Sequence, residues 1–201
     1  MGSTSGWRPT KRALVRVGLI GAGRWGRVYL RTLRTLTTRC RLTHLCTTQS
    51  PATVEVPAQT TIDRSWQALI GAACDLVIIA TPPHTHAELL LACVEAGVPC
   101  IVEKPLCLDV KTARHLHERV RASGVPVLVN HTPLFHPAYP ALKDALARDR
   151  TPIRSVISEG MGFGPFRTHT TALWDWAPHD LSLCLAVLER LPTALAALGG
   201  P

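Results

Sequence analysis

The sequence predicts an α/β protein whose parallel sheet carries helices on both faces and is followed by a smaller α+β region. Between residues 13 and 130, short apolar runs typical of strands alternate with segments that have helical periodicity. The run DLVIIA, residues 75–80, is apolar almost throughout, as a strand buried on both faces requires. Three glycines, at 21, 23 and 26, stand between the first strand and the first helix. These observations indicate a doubly wound sheet of repeated strand–helix units.

Each element of this first region is predicted from its periodicity and from the residues at its ends. Gly97 is suited to cap the helix before it, and a proline-containing turn follows the strand at 75–80. Five strands are predicted, at residues 13–20, 42–47, 75–80, 99–102 and 125–130, and four helices, at residues 23–36, 65–72, 87–96 and 110–122. Strands joined by helices in this way run parallel to one another.

The pattern changes after residue 130. A helix at 138–147, a longer strand-like stretch at 153–162 and a helix at 171–191 predict an α+β domain. A single strand leaves a sheet edge open, so we expect this domain to be truncated or to be completed by a partner. The predicted organisation is a disordered leader at 1–12, a sheet domain at 13–130 and a truncated α+β domain at 131–201.

The composition indicates a globular protein with a basic first quarter. The formal net charge is +8, and residues 1–54 contain arginines and lysines but no aspartate or glutamate. Four of the arginines, at 24, 27, 31 and 34, share one helical face. Such a face is either solvated or binds nucleic acid. We favour the solvated face, and no nucleic-acid partner, because aromatic residues are not interleaved with the basic ones.

Membrane, secreted and metal-dependent classes are not indicated. The apolar runs are shorter than the roughly 20 residues that cross a bilayer, and the N-terminus has no signal-peptide pattern. The seven cysteines form no C-x-x-C pair, and the nine histidines show no metal-ligand spacing. We therefore expect a cytoplasmic protein without a metal site.

The glycine triplet has the sequence context of a dinucleotide-binding turn. Gly21 permits a tight turn after the first strand, Gly23 lets the backbone approach a diphosphate, and Gly26 allows the helix to pack closely on the strand. The N-terminus of the helix, which begins with Arg24 and Trp25, attracts phosphates. A purely structural turn is the alternative, but the strand before the triplet and the repeated units after it favour cofactor binding.

The end of the second strand bears on the choice of cofactor. A dinucleotide fingerprint normally places an acidic residue there to hold the ribose 2′-hydroxyl. This strand ends in Thr47 and Thr48, so no carboxylate at these positions repels a 2′-phosphate. The expected cofactor is NAD or NADP, with NADP slightly favoured. Arg24 is the candidate phosphate contact, and a plain solvent-facing arginine is the simpler alternative for this residue.

Three further residues have groups suited to proton transfer. Asp175 and His179 are four apart and share a helical face, where the carboxylate can orient the imidazole and raise its basicity. Lys104 closes a strand at the carboxyl edge of the sheet, where ligands of α/β proteins bind. Taken singly, each is more simply explained as a surface residue.

Three motifs taken together, GLIGAGRWG, ATPPHTHAELLLACVEAGVPCIVEKPL and WDWAPHDLSL, resemble in order and spacing the glucose-fructose oxidoreductase / inositol dehydrogenase family, Gfo/Idh/MocA. The resemblance covers about residues 15–191. It implies hydride transfer between nicotinamide and a sugar or cyclitol alcohol or ketone. It also implies that Lys104 contacts the reacting hydroxyl, that His179 is the acid/base and that Asp175 is its carboxylate partner. Family members continue with a further sheet, so the chain resembles a C-terminally truncated member.

The resemblance extends to contacts along the same sheet edge. Thr81 and Pro82 should pass beneath the dinucleotide, whereas solvation at a helix start explains His86 equally well. The expected cofactor contacts are Gly21, Gly23, Arg24, Trp25, Gly26, Thr47, Thr48, Thr81, Pro82, His86, Glu103 and Lys104. The expected substrate contacts are Lys104, Asn130, His131, Asp175 and His179.

The predicted function is therefore that of an NAD(P)-dependent dehydrogenase acting on CH–OH groups of a sugar-like substrate. A homo-oligomer is expected, weakened by the truncation. The alternative is a catalytically silent dinucleotide-binding or regulatory protein of the same fold, which the truncation favours.

Overall fold

Unit 1 of the chain, residues 1–130, is a parallel sheet with helices on both faces, and unit 2 comprises residues 131–201. The computed structural model describes residues 14–149, 151–160 and 170–198. Within them, six parallel strands form one sheet in the order β3-β2-β1-β4-β5-β6. The strands are β1 (Val15–Ile20), β2 (Cys40–Cys46), β3 (Thr61–Asp63), β4 (Leu76–Ile79), β5 (Cys100–Glu103) and β6 (Val127–Asn130). The strand order reverses between β1 and β4, where sheets of this kind bind ligands.

Four helices cover the two faces of this sheet: α1 (Arg24–Thr35), α2 (Trp66–Gly71), α3 (His86–Glu95) and α4 (Val110–Ser123). Successive side chains of a strand point to opposite faces, so neighbouring residues of β1 belong to different cores. Leu19 packs in a cluster with Leu30 of α1, whereas Ile20 packs in a cluster with side chains of α2, α3 and α4. The sheet is therefore buried on both faces.

The predicted fold class is confirmed, and one strand was missed. The five predicted strands correspond to β1, β2, β4, β5 and β6, and the four predicted helices to α1–α4. The missed strand is β3, which is three residues long and pairs with β2 at the edge of the described sheet. Three residues are too few to show a periodicity, so this strand is recognisable only from its pairing with β2.

Unit 2 contains a short 3-10 turn, Thr132–Phe135, and two helices, α5 (Ala138–Asp149) and α6 (Ala172–Leu188). The Tyr139 hydroxyl donates to the Ala186 carbonyl at 3.3 Å, and Lys143 forms an ion pair with Glu189, so α5 is tied to the end of α6. The strand-like stretch predicted at 153–162 is not a strand over residues 153–160, and its last two residues lie outside the described ones. A strand needs a neighbour for its backbone groups, and the described part of unit 2 supplies none.

The structure bears on the expectations for membrane-spanning segments and for the cysteines. None of the described helices is long and apolar enough to cross a membrane. All seven cysteines are free thiols, and six of them are buried. The predicted disordered leader, residues 1–12, lies outside the described residues.

Candidate functional site

The turn between β1 and α1 requires glycine at two positions. Gly21 has a φ of +100°, and a Cβ on it would lie 2.6 Å from the Ala80 carbonyl oxygen of the neighbouring strand end. Its amide donates to the Cys46 carbonyl at 2.9 Å, which joins the turn to the end of β2. A Cβ on Gly26 would overlap the Gly21 carbonyl oxygen. At Gly21 and Gly26 the turn therefore lies against α1 and the neighbouring strand ends, with no room for a side chain at either position.

Gly23 differs from these two because space lies open above it. It caps the N-terminus of α1 with an ordinary φ of −68°, and a Cβ there would meet no heavy atom of the described residues within 4 Å. The Arg27 amide bonds back to the Gly23 carbonyl at 3.0 Å, so the amides before it in α1 lack an intrahelical acceptor. Open space and a positive helix end together fit the diphosphate of a dinucleotide.

The two threonines at the end of β2 occupy different environments. Thr47 is buried, and its hydroxyl accepts the Gln49 amide at 3.1 Å, so it stabilises the turn. Thr48 is exposed. The Arg27 guanidinium donates to the Gln49 side-chain oxygen at 3.1 Å, which brings this arginine to the turn after β2. Arg24, the arginine suggested by the sequence, is exposed at the start of α1.

A carboxylate also stands at this end of the sheet, although not on β2. Asp63 ends β3, and its register partner on β2 is Cys46. Its Oδ2 atom is buried without a hydrogen-bond partner among the described residues. Asp63 was missed because the fingerprint places the acidic residue on β2, and the pairing that brings β3 alongside is visible only in the folded chain.

Lys104 follows β5 at the carboxyl edge of the sheet, and a buried network holds the residue before it. Glu103 is 4% exposed, and its Oε1 accepts hydrogen bonds from the Tyr29 hydroxyl and the Asn130 amide, each at 2.7 Å. The Asn130 amide also donates to the Tyr29 oxygen at 2.8 Å. Burial, followed by the hydrogen bond to Glu103, raises the pKa of Tyr29 well above its usual range. The network joins α1, β5 and β6 beside Lys104.

The turn after β4 lies at the same edge. Thr81 is half-buried and its hydroxyl lies 2.6 Å from that of Thr85, whereas Pro82 is exposed. His86 begins α3 and is fully buried, with its ring nitrogens 2.8 Å from the Pro105 carbonyl oxygen and 2.9 Å from the Thr81 carbonyl oxygen. Because backbone oxygens occupy both ring nitrogens, His86 supports the turn instead of presenting its ring to a ligand.

In unit 2, Asp175 and His179 lie one turn apart on the same face of α6, and both are half-buried. Thr171 begins this helix by accepting the Trp174 amide on its hydroxyl at 3.5 Å. His131 is half-buried and immediately precedes the turn Thr132–Phe135, against which α6 packs. The structure thus brings the helix with the predicted acid/base pair and the turn after His131 together within unit 2.

Sequence reasoning did not select Tyr29 or Arg27. The partners of Tyr29 are 74 and 101 residues away, so no local pattern could have indicated them. Arg27 had a usable signal, because it lies three residues after Arg24 on the same helical face.

Comparison with known proteins also indicates a dinucleotide-binding fold. The family model Gfo/Idh/MocA, described as an oxidoreductase family with an NAD-binding Rossmann fold, matches residues 15–131. Inositol 2-dehydrogenase 2 of Paenarthrobacter aurescens is 30% identical over 181 residues, which are 84% of this chain and 54% of that protein. The chain thus spans about half the length of this curated relative.

Solved structures show the same fold. A crystal structure described as an oxidoreductase of Magnetospirillum magnetotacticum MS-1 is 41% identical, with a TM-score of 0.82, and the match covers 90% of this chain and 59% of that one. A scyllo-inositol dehydrogenase of Lactobacillus casei, solved with NAD(H) and scyllo-inositol, has a TM-score of 0.71 at 16% identity, with coverage of 88% and 56%. The second similarity concerns the fold alone.

Proposed function

The chain belongs to the Gfo/Idh/MocA oxidoreductase family, which has an NAD-binding Rossmann fold, and from this premise we propose that it oxidises a sugar or cyclitol alcohol, or reduces the corresponding ketone, with a nicotinamide dinucleotide. The observation that carries the proposal is the glycine turn, in which two glycines are sterically required and the third, Gly23, leaves open space at the start of α1. This arrangement suits a diphosphate, and Lys104 lies at the same carboxyl edge of unit 1.

The proposed role of each catalytic side chain follows from its chemistry. A bound nicotinamide supplies the hydride chemistry. The Lys104 ammonium holds the substrate hydroxyl and stabilises negative charge as it develops on the hydroxyl oxygen. His179 takes the proton from that oxygen during oxidation and returns it during reduction. Asp175, one helical turn before His179, orients the imidazole and offsets the effect of the lysine charge on its basicity.

The other residues predicted as contacts have different roles in this proposal. Thr81 and Pro82 of the turn after β4 would contact the dinucleotide, as would Trp25 in the first turn of α1. Asn130 and His131 contribute to the substrate side. Glu103 and His86 act through the backbone that they hold, because their polar atoms bond to other parts of the protein.

Replacing Gly23 with valine tests dinucleotide binding directly. A side chain at this position meets no other atom of the described residues, so the loss in the free energy of unfolding should be limited to the poorer cap that valine gives α1, about 1 kcal/mol. The same side chain projects into the space proposed for the diphosphate, so dinucleotide affinity should fall at least about tenfold. Urea unfolding and calorimetric titration with NAD and NADP measure the two effects.

The control is Gly71→Val, because the space around Gly71 at the end of α2 is also open among the described residues. This variant should bind dinucleotide like the parent chain. Equal affinities for the Gly23→Val variant and the parent chain would refute the proposal.

We further propose that NADP binds more tightly than NAD, with the Arg27 guanidinium and the Thr48 hydroxyl contacting the 2′-phosphate. Arg27 already reaches the turn after β2, through Gln49. The Arg27→Ala variant should lose about tenfold in NADP affinity, the effect of one charge-assisted hydrogen bond, with NAD affinity unchanged. Arg31→Ala, an exposed arginine one turn further along α1, is the control. Tighter binding of NAD by the parent chain would contradict this preference.

A further inference from the structure

Asp63 is a residue of unit 1 to which the proposed chemistry assigns no role. It ends β3 at the carboxyl edge of the sheet and is half-buried. Its Oδ2 atom is buried and has no hydrogen-bond partner among the described residues. Such an oxygen costs free energy, because it has given up its hydrogen bonds to water. A hydrogen-bond donor on a ligand would remove this cost.

The backbone holds Asp63 in place without the help of this oxygen. In the register of β2 and β3, Asp63 is aligned with Cys46, and the Thr47 amide donates to the Asp63 carbonyl at 3.0 Å. The helix that follows, α2, is capped by Ser65, whose hydroxyl donates to the Gln67 side-chain oxygen at 2.6 Å. The Oδ2 atom is therefore placed by the pairing of the strands and takes no part in the hydrogen bonds of the described fold.

The carboxylate lies on the face of the sheet that α2, α3 and α4 cover. Side chains aligned on neighbouring parallel strands point to the same face, and Cys46 packs in the cluster on that face. Burial, followed by the negative charge of Asp63, raises the pKa of the Cys46 thiol, as a nearby carboxylate should. The turn after β4, a proposed dinucleotide contact, leads into α3 on this same face.

The strand order indicates which part of a dinucleotide would reach this carboxylate. The glycine turn, which suits the diphosphate, follows β1, and a dinucleotide fingerprint places the ribose at the end of β2. In the sheet, β3 lies beyond β2, about 4.8 Å further from β1. The part of the adenosine half that lies beyond the ribose is the base.

The chemistry of the base restricts the contact further. A carboxylate only accepts hydrogen bonds. The 6-amino group of adenine is a donor, whereas the ring nitrogens N3 and N7 are acceptors. A 2′-phosphate is excluded as the partner because both groups are negatively charged. The ribose hydroxyls are the other donors of the adenosine half, and the experiment below distinguishes them from the base.

We propose that the Asp63 carboxylate accepts a hydrogen bond from the 6-amino group of the bound dinucleotide and so selects adenine over a base with an oxygen at that position. This inference rests on the proposed dinucleotide binding and adds the residue that recognises the base. It does not depend on the choice between NAD and NADP, because both contain adenine.

The first measurement compares NAD and NADP with their deamino forms, in which an oxygen replaces the 6-amino group. In the deamino forms two acceptors would face each other, so calorimetric titration of the parent chain should show binding at least about tenfold weaker. The ribose is the same in both forms. Equal affinities would therefore overturn the proposal and would point to a ribose hydroxyl as the partner.

The second measurement repeats the comparison with Asp63→Asn. An asparagine side chain both donates and accepts, so it can pair with either base. The ratio of the two affinities should fall to within about threefold of one, mainly because the deamino form binds more tightly. Both affinities are measured on the same folded sample, so a loss of stability does not change their ratio. A ratio equal to that of the parent chain would refute the role of Asp63.

The control is Asp144→Asn, which replaces an exposed aspartate of α5 and should keep the ratio of the parent chain. If Asp63→Asn does not fold, Asp63→Ser takes its place, because the hydroxyl also donates and accepts, and the same ratio decides.

The two proposals fail in distinguishable ways. Failure of the parent chain to bind any of the four dinucleotides would count against the proposed function and, with it, the inference that rests on it. Binding of NAD or NADP with no preference over the deamino form would refute only the inference about Asp63.

Discussion

Replacing Lys104 with methionine is expected to lower the turnover of a sugar or cyclitol substrate by about 10²–10⁴-fold, with dinucleotide affinity nearly unchanged. Methionine matches the length of the lysine stem but has no charge, so it cannot stabilise the developing alkoxide. In the proposed function the dinucleotide is held mainly by the glycine turn, which this substitution leaves intact. Initial rates over a panel of sugars and cyclitols, with parallel cofactor titrations, separate the two quantities.

The matched control is Lys111→Met, which removes an exposed lysine near the start of α4. This variant should turn over like the parent chain. Equal rates for the Lys104→Met variant and the parent chain would remove Lys104 from the mechanism. A parent chain that binds dinucleotide and turns over none of the panel would instead favour a silent binding or regulatory protein.

The Gly26→Ala substitution is expected to have the largest effect on stability. The new methyl group would overlap the Gly21 carbonyl oxygen, which is backbone and cannot rotate away as a side chain could. Overpacking of this kind costs about 1–3 kcal/mol of the free energy of unfolding, or more where backbone must move. The displaced turn should also lose dinucleotide affinity, because the amides at the start of α1 would no longer be aligned.

Urea unfolding checks this prediction, with Gly71→Ala as the control. Gly71 lies in open space among the described residues and has no positive φ, so alanine there should leave stability unchanged or raise it slightly. A Gly26→Ala variant as stable as the parent chain would show that α1 can move away from the turn. The contrast with Gly23→Val, which should lose binding at a stability cost of only about 1 kcal/mol, separates the roles of the two glycines.

Much of unit 1 could be predicted because its signals are local. The apolar run that forms β4, the glycine triplet and the helical periodicities each lie within a few consecutive residues, so the pattern reveals the element. The glycine turn was predicted for the same reason, since a tight turn, a close approach and close helix packing each call for glycine at one position. β3 was missed, and the strand predicted at 153–162 does not form over residues 153–160, because strand formation depends on a neighbour that the segment itself does not encode.

The candidate site was predicted as a set of residue types but not as a set of contacts. The sequence placed Glu103 and Asn130 at strand ends, but only the folded chain joins them through Tyr29. It suggested Arg24, in the glycine loop, as a phosphate contact, and did not indicate that Arg27 is joined to the turn after β2 through Gln49. It left His86 between ligand contact and solvation, whereas the buried ring bonds to two backbone carbonyls. Each difference arises from partners far apart in the chain.

By itself, the sequence determined most of the strands and helices of unit 1, the parallel sheet and the family resemblance of the motifs, because these follow from short-range periodicity and from residues at fixed spacing. Only the tertiary structure decided that β3 joins the sheet, which arginine approaches the end of β2, and how the residues on either side of Lys104 are held. The physical reason is that such contacts depend on sheet register and helix packing, which bring together side chains and backbone oxygens from separate elements.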